Sequence, residues 1–168
     1  MREGYTIRRG CIDDVERIAE ILCSAWLFAY ADIVPAEMMV QFTDRPQRIQ
    51  RLRETWNSDN LMLVAVNGEG LVCGFAIECQ PCRLDDYDAE ISSLYVHPSY
   101  SRSGIGGALM RAMGAAFLSR GLKSMAIRAL SQNEIGCAFY AKHGGRRGAE
   151  DEWNGLPCIW FVWGDLEA

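Results

Sequence analysis

Residues 99 to 110 read Ser-Tyr-Ser-Arg-Ser-Gly-Ile-Gly-Gly-Ala-Leu-Met, with Gly104, Gly106 and Gly107 where a β-branched apolar run gives way to helical periodicity. Glycine weakens a helix by about 1 kcal/mol relative to alanine. That cost is offset where backbone must come close to a ligand, and the free N–H groups at a helix start suit a phosphate. A dinucleotide fingerprint would need glycine where Leu109 stands, and a P-loop would need Gly-Lys-Ser/Thr after four spacers; the sequence has neither. Two readings remain: a short loop whose N–H groups and helix dipole hold a pyrophosphate, or a tight turn with a glycine-softened first helical turn.

Cysteine and histidine offer less. Seven cysteines are scattered at 11, 23, 73, 79, 82, 137 and 158. Several lie in apolar runs, where a thiol behaves as a small hydrophobe. Cys79 and Cys82 make a lone C-x-x-C, and a structural zinc takes four ligands. With only His97 and His143 besides, no metal is expected. Odd, dispersed cysteines fit a reduced, cytoplasmic setting.

A net charge of -5 argues against a nucleic-acid partner, whose footprint is a basic surface, and leaves room for a cationic one. No apolar run is long enough to span a membrane, and the opening residues Met1–Gly10 lack the apolar core of a signal peptide.

The elements that must position these residues follow from periodicity. Tyr5–Arg9 reads as a strand. Val15, Ile18, Ala19, Leu22 and Trp26 make a helical stripe ending near Tyr30, with Asp13 and Glu16 as a capping box. A second, arginine-rich helix runs from Pro46 towards Trp56. Residues 61–66 and 71–79 form a hairpin, and 89–96 a further strand closed by His97-Pro98. A helix follows from Ile105 to about Gly121, then a strand at 124–130, a short helix at 133–145 and a hairpin about Asn154-Gly155. The order β-α-α-β-β-β-α-β-α-β-β predicts one mixed α/β domain over 1–168, a central twisted mixed sheet of about seven strands flanked by about four helices.

Within that order, Glu90 to Met110 and Asn133 to Gly145 resemble the GNAT (Gcn5-related) N-acetyltransferase superfamily. Ser101-Arg102-Ser103-Gly104-Ile105-Gly106 occupies the family's Gln/Arg-x-x-Gly-x-Gly/Ala motif, with Ser101 where the family usually has Gln or Arg. Asn133 followed by Phe139-Tyr140 occupies its second motif. The resemblance implies a GNAT fold, acetyl-CoA as cofactor and N-acetyl transfer by direct attack in a ternary complex. It further implies cofactor contacts from Leu94, Tyr95, Val96, Ser101, Arg102, Ser103, Gly104, Ile105, Gly106, Gly107, Asn133, Phe139 and Tyr140. The backbone N–H groups of Leu94–Val96 would polarise the acetyl carbonyl, and Tyr140 would protonate the departing thiolate. Glu90 stands where nuclear relatives carry a catalytic glutamate and would be the base, against its reading as a solvated strand-end charge.

For the acceptor, residues 24–39 resemble the acceptor-binding helix and loop of bacterial relatives, which brings in Trp26 and Tyr30. Trp26 also belongs to the core stripe, whereas Tyr30 at the helix end is freer to face a cleft. Asp85, Asp86 and Asp88 precede Glu90, and such a cluster steers a protonated amine by Coulomb attraction, or is merely solvated. Asp88 and Glu90 are thus candidate acceptor-binding residues for a small amine or a peptide amine. Trp153, Trp160 and Trp163 read as core or as the edge of a homodimer. The rival reading is a non-catalytic acyl-CoA-binding sensor or regulatory module on the same fold.

Overall fold

The computed structural model describes residues 4–168, so residues 1–3 of the opening stretch lie outside the described residues. The chain forms two compact units: residues up to Ile77 with Ser93–Met113, and Glu78–Ser92 with Gly114–Ala168.

In the first unit, β1 (Tyr5–Arg9) pairs antiparallel with β2 (Met62–Asn67), and β2 with β3 (Val72–Cys79). The turn between β2 and β3 is closed by Asn67, whose Oδ1 accepts from Glu69 N–H at 3.0 Å and Leu71 N–H at 2.9 Å. The apolar stripe of α1 (Val15–Tyr30) buries Ile18 and Ile21 against Val64, Val66, Val72 and Phe75. This is the face that its 3.6-residue period marks.

Asp13 and Glu16 form no capping box. A 3-10 turn, Ile12–Asp14, precedes α1 instead. Asp14 accepts from Cys11 N–H and from both terminal nitrogens of Arg8, each at 2.9 Å. A buried carboxylate requires such partners, so Asp14 rather than Asp13 organises the helix start.

A helix absent from the predicted order, α2 (Ala36–Phe42), follows Pro35. Its seven residues are too few for periodicity to register. α3 (Arg45–Glu54) starts at Asp44, whose side chain accepts from Gln47 N–H at 3.1 Å, with Pro46 in the first turn.

In the second unit, the start of β4 (Ala89–Val96) pairs in parallel with β5 (Met125–Leu130) through Ala89↔Met125 and Glu90↔Ala126. β7 (Leu156–Trp163) pairs antiparallel with β5 and with β6 (Arg146–Trp153). Asn154 (φ 49°) and Gly155 (φ 79°) are both left-handed, as a two-residue type I′ hairpin demands. Cys82, Leu84 and Tyr87 pack on Ala126, Trp160 and Val162. α5 (Glu134–Lys142) brings Cys137 onto Ile159 and Phe161.

β3, β4 and α4 (Ile105–Ser119) contribute residues to both units. The strand order is β1-β2-β3-β4-β5-β7-β6, a mixed α/β arrangement with five α-helices rather than four. Among the described residues no helix is long and apolar enough to cross a membrane, and all seven cysteines are free thiols.

Candidate functional site

In the first unit, the chain leaves β4 through a 3-10 turn, Pro98–Tyr100. His97 Nδ1 accepts from Ser99 N–H at 3.2 Å, and the Ser101 hydroxyl donates to Pro98 O at 2.9 Å. Burial, with help from Arg17, holds His97 below its ordinary pKa and so favours the neutral ring that this bond needs. Ser103 donates its hydroxyl proton back to Tyr100 O.

The backbone then turns left-handed twice, at Arg102 (φ 60°) and Gly104 (φ 88°). The second angle costs an ordinary residue about 1–2 kcal/mol, which explains glycine there. Gly104 O accepts from Ala108 N–H at 3.1 Å, opening the hydrogen-bond ladder of α4. Ile105, Gly106 and Gly107 come ahead of that first bond, so their N–H groups belong to the orphan donors of a helix start. Ser101, Arg102 and Gly104 are exposed, Gly106 half-buried and Gly107 buried.

Leu94, Tyr95 and Val96 are half-buried on β4. The Tyr95 hydroxyl accepts from Trp26 Nε1 at 3.2 Å. Burial pushes this phenol above its ordinary pKa, opposed by hydrogen bonds with Tyr30 and Trp26. Trp26 stacks on Phe42 with ring centres 4.9 Å apart and meets Tyr30 edge-on at 4.8 Å. Tyr30 is no freer than Trp26: they are 8% and 9% exposed. The T-shaped contact with Trp26 draws Tyr30 inward.

In the second unit, Asn133 is the N-cap of α5, its side chain accepting from Gly136 N–H at 3.0 Å. Tyr140 lies half-buried, 5.5 Å from the Phe161 ring and 6.4 Å from Trp163. Phe139 packs on His143 at 4.5 Å. A methyl group at Gly145 would fall 2.8 Å from Trp163, so the bare backbone lets that ring approach.

Glu90 is not a solvated strand-end charge. Its side chain is fully buried and engaged by Arg83, whose backbone N–H reaches Oε2 at 2.9 Å and whose Nε reaches Oε1 at 3.0 Å. Asp88 is likewise engaged, its Oδ2 accepting from Lys123 N–H at 2.8 Å, while its own N–H donates to Ser124 Oγ at 2.9 Å. Asp85 and Asp86 are exposed.

Sequence reasoning missed Arg83 and a second such pair, Glu78 with Arg120. Glu78 is buried in β3 and held by both terminal nitrogens of Arg120, at 2.8 and 3.0 Å. A signal was present: a lone carboxylate inside an apolar strand run demands a basic partner.

The chain matches the model described as the Acetyltransferase (GNAT) family over residues 16–145. It is similar to a spermidine N(1)-acetyltransferase of Thermoplasma acidophilum, 28% identical over 143 residues, covering 82% of this chain and 86% of that one. An uncharacterized N-acetyltransferase of Mycobacterium tuberculosis is 26% identical over 131 residues, covering 78% and 82%. Among solved structures, a PaiA N-acetyltransferase from Thermoplasma acidophilum in complex with coenzyme A superposes with a TM-score of 0.71 at 22% identity, covering 94% of this chain and 98% of that one. A Salmonella typhimurium protein solved with its cofactor acetyl-CoA gives 0.68 at 21% identity, covering 97% and 94%. These structural likenesses establish the fold.

Proposed function

The chain belongs to the acetyltransferase (GNAT) family, whose cofactor is acetyl-CoA, and from that premise we propose that it acetylates a primary amine of a small molecule or peptide by direct attack in a ternary complex. In this reading residues 1–168 act as a single N-acetyltransferase domain. The observation that carries it is the left-handed turn at Arg102 and Gly104 running into the head of α4.

That turn fits a diphosphate. Successive backbone N–H groups in such a conformation form an anion-binding concavity, and the helix dipole adds to it. An added Cβ at Gly104 would meet only the Tyr5 hydroxyl, 3.7 Å away, so the space beside it is open. Ile105, Gly106 and Gly107 N–H groups, bordered by Ser101, Arg102, Ser103 and Gly104, hold the diphosphate in this reading. Asn133 and Phe139 complete the cofactor contacts.

Acetyl-CoA supplies the acetyl group as a thioester. The N–H groups of Leu94, Tyr95 and Val96 polarise the acetyl carbonyl, as oxyanion-hole donors do. Glu90 takes the proton that the acceptor ammonium must lose before its nitrogen can attack. Tyr140 gives its phenolic proton to the departing sulfur. On the acceptor side stand Trp26, Tyr30 and Asp88, with exposed Asp85 and Asp86 attracting a cation. Spermidine, the acceptor named for the Thermoplasma relative, is the first amine to try.

The test has two stages. Acetyl-CoA is expected to raise the melting temperature where ATP and NAD do not, since only a ligand of the native state stabilises it. A free-thiol assay over spermidine, an amino sugar, a lysine derivative and a peptide N-terminus then measures turnover, and Tyr140→Phe is expected to lower kcat about 100-fold. Stabilisation by acetyl-CoA without turnover of any amine would leave the sensor reading in its place.

A further inference from the structure

Glu90 is 0% exposed, yet the Arg83 side chain that covers it is 52% exposed. Among the described residues, every hydrogen bond to the Glu90 carboxylate comes from Arg83: its backbone N–H, Nε and Nη2. A dry carboxylate therefore faces a half-solvated guanidinium. The main chain on either side of Arg83 is fixed, because Cys82, Leu84 and Tyr87 pack on the Trp160 cluster and Asp88 is bonded to Lys123 N–H. The free element is the guanidinium arm itself.

The arm also borders an aromatic ring and a second carboxylate. Arg83 sits over the Trp160 ring, 6.0 Å from its centre, and Arg128 lies 5.9 Å from the same ring while pairing with Asp151 at 3.4 Å. Asp151 accepts from Trp160 Nε1 at 3.0 Å and is 42% exposed. It also acts on Arg83 electrostatically, in the same sense as Glu90.

We propose that Arg83 is a cation-selecting gate on Glu90: its guanidinium holds the place on the carboxylate that the acceptor's ammonium takes during turnover. The proposal rests on the reading of Glu90 as the base. A buried carboxylate cannot be left bare without a large penalty, so Arg83 swings away only as another cation arrives. A neutral acceptor cannot make that exchange, and a protonated amine can. Once the ammonium sits on Glu90, its N–H bond breaks and an O–H bond forms on the carboxyl. The freed nitrogen lone pair forms the C–N bond, the C–S bond breaks with its electrons going to sulfur, Tyr140 supplies the sulfur's proton, and the nitrogen's second proton passes to the Tyr140 phenolate. The amide product is uncharged. When Glu90 returns its proton to water, Arg83 closes again and the product has no claim on the carboxylate.

The test uses the amine of highest kcat/KM among the four named for the turnover assay, at saturating acetyl-CoA. Arg83→Lys keeps the charge but loses the two-pronged grip, and Arg83→Gln loses both. Each is expected to lower KM for the amine by about fivefold while KM for acetyl-CoA stays unchanged. Glu90→Gln is expected to lower kcat by about 100-fold, and adding Arg83→Gln to it should move the amine KM no further. A folded Arg83→Lys with amine KM unchanged or raised overturns the gate and leaves a structural clasp. The Lys variant is decisive even where Arg83→Gln fails to fold, because it retains a cation for Glu90. Full kcat in Glu90→Gln overturns the base assignment and the gate with it. Loss of kcat in Glu90→Gln without any fall in amine KM at Arg83 removes the gate alone.

Discussion

The indole N–H of Trp26 on α1 donates to the hydroxyl of Tyr95 on β4 across 3.2 Å, joining side chains 69 residues apart. Trp26 is also stacked on Phe42, and the Arg48 guanidinium lies over that phenyl ring, 4.5 Å from its centre. The end of α1, α2 and the start of α3 are thereby tied to the strand assigned to the thioester.

Two variants separate the hydrogen bond from the packing. Trp26→Phe keeps an aromatic ring and loses the donor, which is expected to cost about 1 kcal/mol. Trp26→Ala also loses the stack and is expected to cost about 3–5 kcal/mol. Urea unfolding midpoints measure both. Equal losses would mean that the stack contributes nothing beyond the hydrogen bond.

At the head of α4, Gly106→Asp places a carboxylate beside the N–H groups assigned to the diphosphate. Coulomb repulsion and lost backbone access are expected to weaken coenzyme A binding by at least about 100-fold in calorimetry. Unchanged affinity in a folded variant would remove the turn from the cofactor's site.

The Arg8–Asp14 pair makes stability depend on acid. Hydrogen bonding from Arg8 holds the Asp14 carboxyl below its ordinary value, against burial, which acts the other way. The unfolded chain therefore takes up this proton more readily than the folded one. The pair's contribution is fully present above the ordinary carboxylate value and is lost as pH falls through the lower folded value. Asp14→Asn is expected to be less stable than the parent at neutral pH by about 1.5–3 kcal/mol, with the gap narrowing below about pH 4. Chemical denaturation at neutral and acid pH reads the gap directly.

Removing Arg120 is expected to be costly, because Glu78 is fully buried behind it. Arg120→Ala should destabilise by about 2–4 kcal/mol, reduced from the fully buried case by the arginine's partial exposure. Replacing both partners, Arg120→Met with Glu78→Gln, should recover most of that loss, since no charge is then stranded. Thermal melts of the single and double variants decide it. A double variant no better than the single would show that the pair's geometry, not its charge, holds β3.

Much of the frame is legible in the sequence because it obeys local rules. The strands at Tyr5–Arg9 and Ala89–Val96 fall where alternation and β-branching put them, and Asn154-Gly155 makes its hairpin because both positions need left-handed backbone. The helix from Ile105 follows its apolar period. α2 escapes such reading because seven residues are too short a stretch for a 3.6-residue period to stand out. The spacing to Glu16 favours Asp13 as the capping residue, but Arg8, on a preceding strand, chooses Asp14 instead.

The sequence by itself determined the order of elements, the glycine turn before α4 and the motifs that mark the family, since these are written in short-range spacing. Only the tertiary structure decided which charges are buried and by whom they are held. Glu90 reads either as a base or as a solvated strand-end charge until folding removes it from water and sets Arg83 upon it. Tyr30 reads as a free helix-end aromatic until Trp26 and Tyr95 enclose it. The reason is physical: period and turn chemistry depend on near neighbours, whereas the burial of a charge and the choice of its partner depend on which distant segments close around it.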